Sequence, residues 1–107
     1  MKNIVNLFDN HNWEDADEYP DGTKRKVLRD DNGARTVLLK LPEGFKMAPH
    51  SHVRTEQHFI LEGEYKSNNK TFSSGTYQIF YPQEEHGPFE SETGALILAI
   101  WDPLKTD

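Results

Sequence analysis

Apolar residues occur along this chain in short dense bursts, and Gly, Pro and Asn separate one burst from the next. Bursts of about five to eight residues between such turn residues predict β-strands, since no stretch has helical spacing of useful length. The predicted strands cover residues 24–30, 34–41, 57–65, 70–72, 76–81 and 95–101. Short strands with this punctuation indicate an all-β protein with a closed or sandwiched antiparallel sheet.

The turns between these segments support the antiparallel arrangement. Asn32-Gly33 lies between two strand-like segments and is a strong hairpin signature. Asn68-Asn69 and Ser74-Gly75 mark two later turns. The run from Ala95 to Trp101 is almost continuously apolar, which fits a strand that is covered on both faces.

The first 23 residues differ from the rest of the chain. They crowd six acidic residues around Trp13, Tyr19 and Pro20. We therefore expect an irregular N-terminal arm over residues 1–23, which its aromatic side chains pack onto a single domain over residues 24–107. A length of 107 residues supports one compact core and leaves no room for a second.

The amino-acid composition narrows the classes of molecule that we expect this chain to bind. Eighteen acidic against twelve basic residues give a formal charge of −6, which repels nucleic acid and anionic lipid. The longest apolar run has seven residues, too few for a membrane span, and residues 1–10 lack the apolar core of a signal peptide. We expect a soluble cytoplasmic protein that binds neither nucleic acid nor membranes.

Histidine and carboxylate side chains are the candidate metal ligands, because the chain contains no cysteine. In His50-Ser51-His52 the two imidazoles lie on the same side of an extended segment and can share one metal ion. Alternation places Glu56, His58 and Ile60 on one face of the next strand, and if that face is interior, a carboxylate and a further imidazole join the pair. This set suits Fe(II), Mn(II), Ni(II), Zn(II) or Cu(II), and the spacing does not choose among them.

The segment from Gly44 to Gly63 resembles the first motif of the cupin superfamily. It reads Gly44, FKMAP, His50-Ser51-His52, VRT, Glu56, QHFILE, Gly63, and it matches the spacing of that motif at every anchor. The interval from Gly75 to His86 has the length of the second cupin motif, which supplies the fourth ligand in that family.

The interior of this second segment departs from the family's pattern. Tyr81 stands in place of the usual Pro, Gln83 in place of the usual Gly, and Glu90 in place of the usual Asn. These departures concern the turn before His86 more than the ligand itself. The resemblance covers residues 24–101 and is closest to small single-domain cupins, a group that includes acetylacetone-cleaving dioxygenases and the cupin domain of zinc-dependent anti-sigma factors.

The resemblance implies a cupin jelly-roll β-barrel, also called a double-stranded β-helix, with a metal ion in its mouth. By the same resemblance His50, His52 and His86 are metal ligands. Glu56 is either a further ligand, which we favour, or a base beside the metal. His58 has no counterpart in the motif; it is either a hydrogen-bonded core residue or an imidazole that moves protons to or from the substrate.

The function that follows is a metal-dependent enzyme, with an Fe(II) dioxygenase of a small enolisable carbonyl or phenolic substrate as the leading interpretation. The substrate class comes from the resemblance alone, and Zn, Ni, Mn or Cu remain alternatives to iron. A second interpretation uses the metal only as a Lewis acid in an isomerase or lyase, with His58 or Tyr77 as the proton carrier. A third is a non-catalytic sensor that binds a metal or a small ligand.

Two further expectations concern the surface. Arg35, Arg54 and Lys46 are ordinary surface charges unless one lies at the barrel mouth, where it could hold a substrate carboxylate. We also expect a homodimer, in which an apolar part of the arm forms the exchanged edge. The apolar residues in that part are Ile4, Val5, Leu7 and Phe8.

Overall fold

The computed structural model describes residues 3–103, and the regular structure in that range consists entirely of β-strands. The strands are β1 (Glu14–Asp15), β2 (Lys24–Asp31), β3 (Ala34–Leu41), β4 (Phe45–Met47), β5 (Glu56–Ser67), β6 (Lys70–Ser73), β7 (Tyr77–Phe80), β8 (Phe89–Ser91) and β9 (Ala95–Trp101). Within residues 3–103, no helix could cross a membrane.

The strands form one strongly curled antiparallel sheet in the order β1-β2-β3-β9-β5-β8-β4, while β6 and β7 also pair with β5. The first part of β5 pairs with β9 on one side and with β7 on the other. Its last residues pair with β6 and β8 instead. This curled all-β arrangement confirms the predicted fold class.

A bend in β5 allows this change of partners. The register against β9 shifts between Ile60 and Glu62, as at a β-bulge, and Gly63 follows at φ 74°. A Cβ atom on Gly63 would lie only 2.2 Å from the carbonyl oxygen of Gly94, so the two backbones approach each other as only glycine permits. The bend turns the second half of β5 over the barrel interior.

The barrel is filled by one apolar cluster to which most strands contribute. In β9 the successive residues Ala95, Leu96 and Ile97 are all buried, so this strand is covered on both faces as its continuous apolar run predicted. The buried members of the cluster are Val37, Leu39, Leu41, Phe45, Ile60, Tyr65, Phe80, Phe89, Ala95, Ile97 and Ala99.

All six predicted strands are present, with ends that differ by at most two residues. Three short strands were not predicted. β4 lies between Pro42 and Pro49, where turn residues indicated only a break, and it pairs with β8 over three residues. Strands of two or three residues carry too little alternation to be recognised, and tertiary pairing creates them.

The N-terminal arm contacts the sheet through its aromatic residues. β1 pairs with β2, and the Trp13 ring lies 4.7 Å from the Lys26 ammonium, a cation–π distance. Tyr19 packs against the core cluster. By contrast, Ile4 and Phe8 are 89% and 56% exposed.

Candidate metal centre

Backbone hydrogen bonds bring the two histidine-bearing segments together. The amide of His50 donates to the carbonyl of His86 at 2.9 Å, and the amide of His86 donates back to His50 at 2.6 Å. The amide of Gln83 donates to the carbonyl of His52 at 2.8 Å. Side chains from distant parts of the sequence are therefore fixed at one end of the barrel.

Gln83 holds the turn before His86 in an unusual backbone conformation. Its φ is 67°, in the left-handed region, although the cupin motif usually has glycine there. The turn therefore keeps a glycine-like conformation despite the substitution, and His86 still reaches His50.

Three imidazoles converge at this end of the barrel. Ring nitrogens of His50, His52 and His86 all lie within 4.8 Å of one another, a spacing that could hold one metal ion. His50 Nδ1 lies 3.3 Å from the carbonyl oxygen of Ala48, which leaves Nε2 free to act as a ligand. These three residues are the predicted histidine ligands, and the structure brings all three together.

The surroundings of His86 fit a metal ligand. The side chain is fully buried, yet neither ring nitrogen has a hydrogen-bond partner among the described residues. Burial lowers the pKa of His86 from 6.5 to about 4, so the ring is neutral and offers a lone pair. A buried polar group without a partner is rare. A metal ion bound to one of the two ring nitrogens would give that nitrogen a partner.

Glu56, the first residue of β5, lies beside the three imidazoles. Its Oε1 is 3.3 Å from His52 Nε2 and 3.6 Å from His86 Nδ1. Trp101 Nε1 donates to the same oxygen at 2.8 Å. Burial acts to raise the pKa of Glu56, but the hydrogen bond from His58 and the charges of nearby imidazoles outweigh it and lower the pKa. The carboxylate is therefore ionised beside His52 and His86, but it is not part of the three-histidine group whose ring nitrogens lie within 4.8 Å of one another.

His58 lies behind Glu56, inside the barrel. Its Nε2 is 2.5 Å from Glu56 Oε2, and its Nδ1 is 3.2 Å from the Tyr65 hydroxyl. That hydroxyl donates to Gln78 Oε1, so its oxygen accepts from His58. His58 thus lies between the Glu56 carboxylate and the Tyr65 hydroxyl, and the predicted shared face of Glu56, His58 and Ile60 is indeed buried.

Two cavities adjoin the cluster. An open cavity of about 310 Å³ has His52 in its wall, together with Tyr19, Arg35 and Trp101. A much smaller space of about 30 Å³ lies inside the barrel, where His50, Glu56 and His58 contribute to the wall. Tyr19 borders both cavities, and burial raises its pKa above the ordinary value.

Several residues at this site were not singled out from the sequence. Trp101 and Tyr65 fix the Glu56–His58 pair, and Tyr19 reaches the cavities from the arm. Of the other residues considered from the sequence, Arg35 and Arg54 lie in the wall of the open cavity. Two further residues lie outside the site. His11 has an 82% exposed side chain, and Tyr77 donates to Gln57 on the exposed side of β7.

Comparisons with solved structures agree on the fold. An RmlC-like cupin from Shewanella frigidimarina superposes with a TM-score of 0.74 at 22% identity, covering 90% of this chain and 86% of the other. An acetylacetone dioxygenase from Acinetobacter johnsonii gives 0.75 at 15% identity, with coverages of 94% and 74%.

A further match concerns the complex of Rhodobacter sphaeroides SigE with the anti-sigma ChrR. It superposes with a TM-score of 0.73 at 23% identity over 89% of this chain, which spans about half (51%) of the matched chain. No curated protein matches the chain by sequence. The model of the ChrR cupin-like domain family, however, matches residues 1–105. Since that match spans nearly the whole sequence, this chain belongs to the ChrR cupin-like family.

Proposed function

We propose that this chain is a metal-dependent cupin enzyme, an Fe(II) dioxygenase of a small enolisable carbonyl or phenolic substrate. The observation that carries the proposal is the buried, unpartnered His86 ring, which faces two further imidazoles and an ionised carboxylate. The similarity to a solved acetylacetone dioxygenase supports the choice of reaction.

In this proposal His50, His52, His86 and Glu56 hold the metal ion. Imidazole and carboxylate donors of this kind suit iron among the divalent transition metals. Such an ion would supply Lewis acidity toward the substrate oxygens and the redox chemistry that a reaction with O2 needs. Trp101 fixes Glu56 Oε1 by its hydrogen bond, so the carboxylate keeps its orientation toward the histidines.

His58 acts on Glu56 rather than at the open cavity, because its side chain is buried and it borders only the inner space. It holds a proton at Glu56 Oε2, and Tyr65 and Gln78 fix the ring from the other side. Through this contact His58 can supply or withdraw a proton at Glu56 when substrate loses its own. The rings of Phe80 and Phe89 lie 5.1 Å and 5.8 Å from the His58 ring and keep water away from it.

The same proton-handling pair favours a second candidate, an isomerase or lyase in which the metal has no redox role. In that reaction Glu56 and His58 would move the proton, and the activity would survive replacement of iron by zinc without consuming O2. A sensor, the third candidate, would bind a metal ion or a small ligand and show no turnover.

Elemental analysis of protein purified without a His tag tests the proposal. We expect near-stoichiometric iron in the wild type, and loss of iron in His52→Ala and His86→Ala. His11→Ala is the matched control, since this exposed imidazole should leave the iron content unchanged. An oxygen electrode with pentane-2,4-dione and with catechol then measures turnover.

The outcomes separate the candidates. Bound zinc or nickel without O2 consumption would replace the dioxygenase by the isomerase or sensor. A wild type that binds no transition metal would overturn the dioxygenase and the isomerase or lyase and would leave only a sensor of a small ligand.

A further inference from the structure

The open cavity beside the histidine cluster has the features of a binding site. At about 310 Å³ it lies at the lower end of the range of about 300–1,000 Å³ for small-molecule pockets. His52 lies in its wall and also belongs to the candidate metal ligands. A molecule in this cavity would therefore lie beside one of the candidate metal ligands.

Arg35 lies in the wall of this cavity and, within the described structure, has a hydrogen-bond donor without an acceptor. It lies on β3 opposite Trp101, and its guanidinium carbon is 5.6 Å from the centre of the Trp101 ring. Its Nε is buried and has no hydrogen-bond partner among the residues from 3 to 103. A buried N–H of a charged group without an acceptor is costly, so this site favours an occupant that supplies one.

The charged side chains in the wall of the cavity favour an anionic occupant. Arg54 is a second guanidinium in the wall, and its Nη1 lies 3.3 Å from a backbone carbonyl, that of Gly33. In the described part of the chain, neither arginine forms an ion pair. Glu18, the acidic residue of the same wall, already accepts from Arg25 Nη1 at 2.6 Å. The cavity wall thus carries two arginine charges against one carboxylate, and Glu18 shares its partner Arg25 with Glu14.

We propose that Arg35 binds a carboxylate group of the substrate in this cavity. The guanidinium fork pairs with both carboxylate oxygens, as arginine does where bidentate recognition is needed, and the Trp101 ring holds the fork in place. The carbonyl end of the same substrate then faces His52. The inference rests on the proposed function and refines it, since it assigns the substrate to small oxo acids rather than neutral diketones.

Two β-diketones of the same carbon skeleton test this assignment. Pentane-2,4-dione lacks a carboxylate, and 2,4-dioxopentanoate carries one. Isothermal titration of each into zinc-loaded protein measures binding without turnover. We expect the wild type to bind 2,4-dioxopentanoate about 10- to 100-fold more tightly, the ratio expected for a charge-assisted hydrogen-bond pair.

Substitutions assign the preference to Arg35. Arg35→Gln should remove the preference, so that the two probes bind with equal affinity, while Arg35→Lys, which keeps the charge but not the fork, should retain part of it. Arg29→Gln is the matched control, because Arg29 pairs with Asp31 on β2 and does not line this cavity. Equal affinities of the two probes for the wild type would overturn the proposal, as would a preference that survives in Arg35→Gln.

A measurement on the metal-free protein distinguishes failure of the carboxylate site from failure of the proposed dioxygenase function. The Nε–H resonance of Arg35, assigned by its absence in Arg35→Lys, should shift saturably when 2,4-dioxopentanoate is added to metal-free wild type, and pentane-2,4-dione should not shift it. Absence of a saturable shift overturns the carboxylate site. A saturable shift in a protein that fails to bind any metal overturns the dioxygenase while the carboxylate site stands.

Discussion

Glu56 connects the histidine cluster to the interior of the barrel. One carboxylate oxygen faces His52 and His86, and the other is bonded to His58. A buried negative charge needs hydrogen-bond partners, and here Trp101 Nε1 contacts Oε1 and His58 Nε2 contacts Oε2. The orientation of the carboxylate therefore depends on residues that do not face the cluster themselves.

Tyr65→Phe tests this dependence at a single atom. The substitution leaves the Nδ1 donor of His58 without its acceptor in a buried position, so unfolding experiments should show a loss of about 1–3 kcal/mol. Tyr77→Phe removes a comparable hydroxyl from the exposed side of β7 and should change stability by less than about 0.5 kcal/mol. Equal stability of the two variants would contradict the network.

The pKa of His86 makes the metal-free protein sensitive to acid. This pKa lies near 4 in the folded chain because burial opposes protonation, whereas the ordinary value is 6.5. As pH falls below 6.5 the unfolded chain takes up the proton first, so stability is full above 6.5 and is lost down to about pH 4. The lowered pKa of Glu56 acts in the same direction.

Urea unfolding of the metal-free protein at about pH 7.5 and about pH 4.5 should therefore show a decrease of about 2–3 kcal/mol from His86 alone. In His86→Gln that part of the decrease should disappear. A wild type and a variant with the same pH dependence would show that burial of His86 does not disfavour its charge.

At the level of elements, the turn that carries Gln83 decides where His86 lies. Residues other than glycine cost about 1–2 kcal/mol in the left-handed region, and Gln83 occupies it with φ 67°. The amide hydrogen bond from Gln83 to His52 nevertheless anchors the turn to the first histidine segment. Backbone pairing thus maintains a conformation that the side chain disfavours.

Gln83→Gly should relieve this conformation and keep the hydrogen bond, which the backbone makes. We expect a gain of about 0.5–1 kcal/mol, reduced from the full cost because glycine also gives the unfolded chain more freedom. Thermal unfolding measures it, and Gln57→Gly is a suitable contrast, since an interior position of β5 should lose stability instead. A destabilised Gln83→Gly would contradict the strained turn.

The strands and the candidate histidines could be predicted from the sequence because both produce local signals. Period-two alternation identified the buried face of Glu56 and His58, and motif spacing identified His86. Trp101 meets Glu56 only through the register of β9 against β5, which no single segment specifies. Tyr19 likewise reaches the cavities because of how the arm packs, a tertiary outcome without a periodic signal.

At the scale of the whole molecule, the arm leaves an apolar patch uncovered. We use the name arm patch for the exposed side chains Ile4, Val5, Phe8 and Val27. Ile4, Val5 and Val27 line one open cavity between the arm and β2. Exposed apolar residues that lie together on a small protein favour association.

We expect this patch to pair two copies of the chain. Size-exclusion chromatography with light scattering at micromolar concentration should give twice the chain mass of 12.4 kDa. Ile4→Asp together with Phe8→Asp should give the single-chain mass, while Val53→Asp, which alters an exposed apolar residue outside the patch, should leave the dimer intact. A wild type of 12.4 kDa would rule out the dimer.

The backbone bridge between His50 and His86 also bears on when a metal ion can bind. The hairpin of β2 and β3 can form from neighbouring residues, whereas the bridge joins two residues that have β5, β6 and β7 between them in the sequence. Contacts between segments so far apart in sequence form late, because the intervening chain must first lose its entropy. We therefore expect a nascent chain to present the His50 and His52 pair before His86 joins it, so that binding of one ion by all three imidazoles would follow folding.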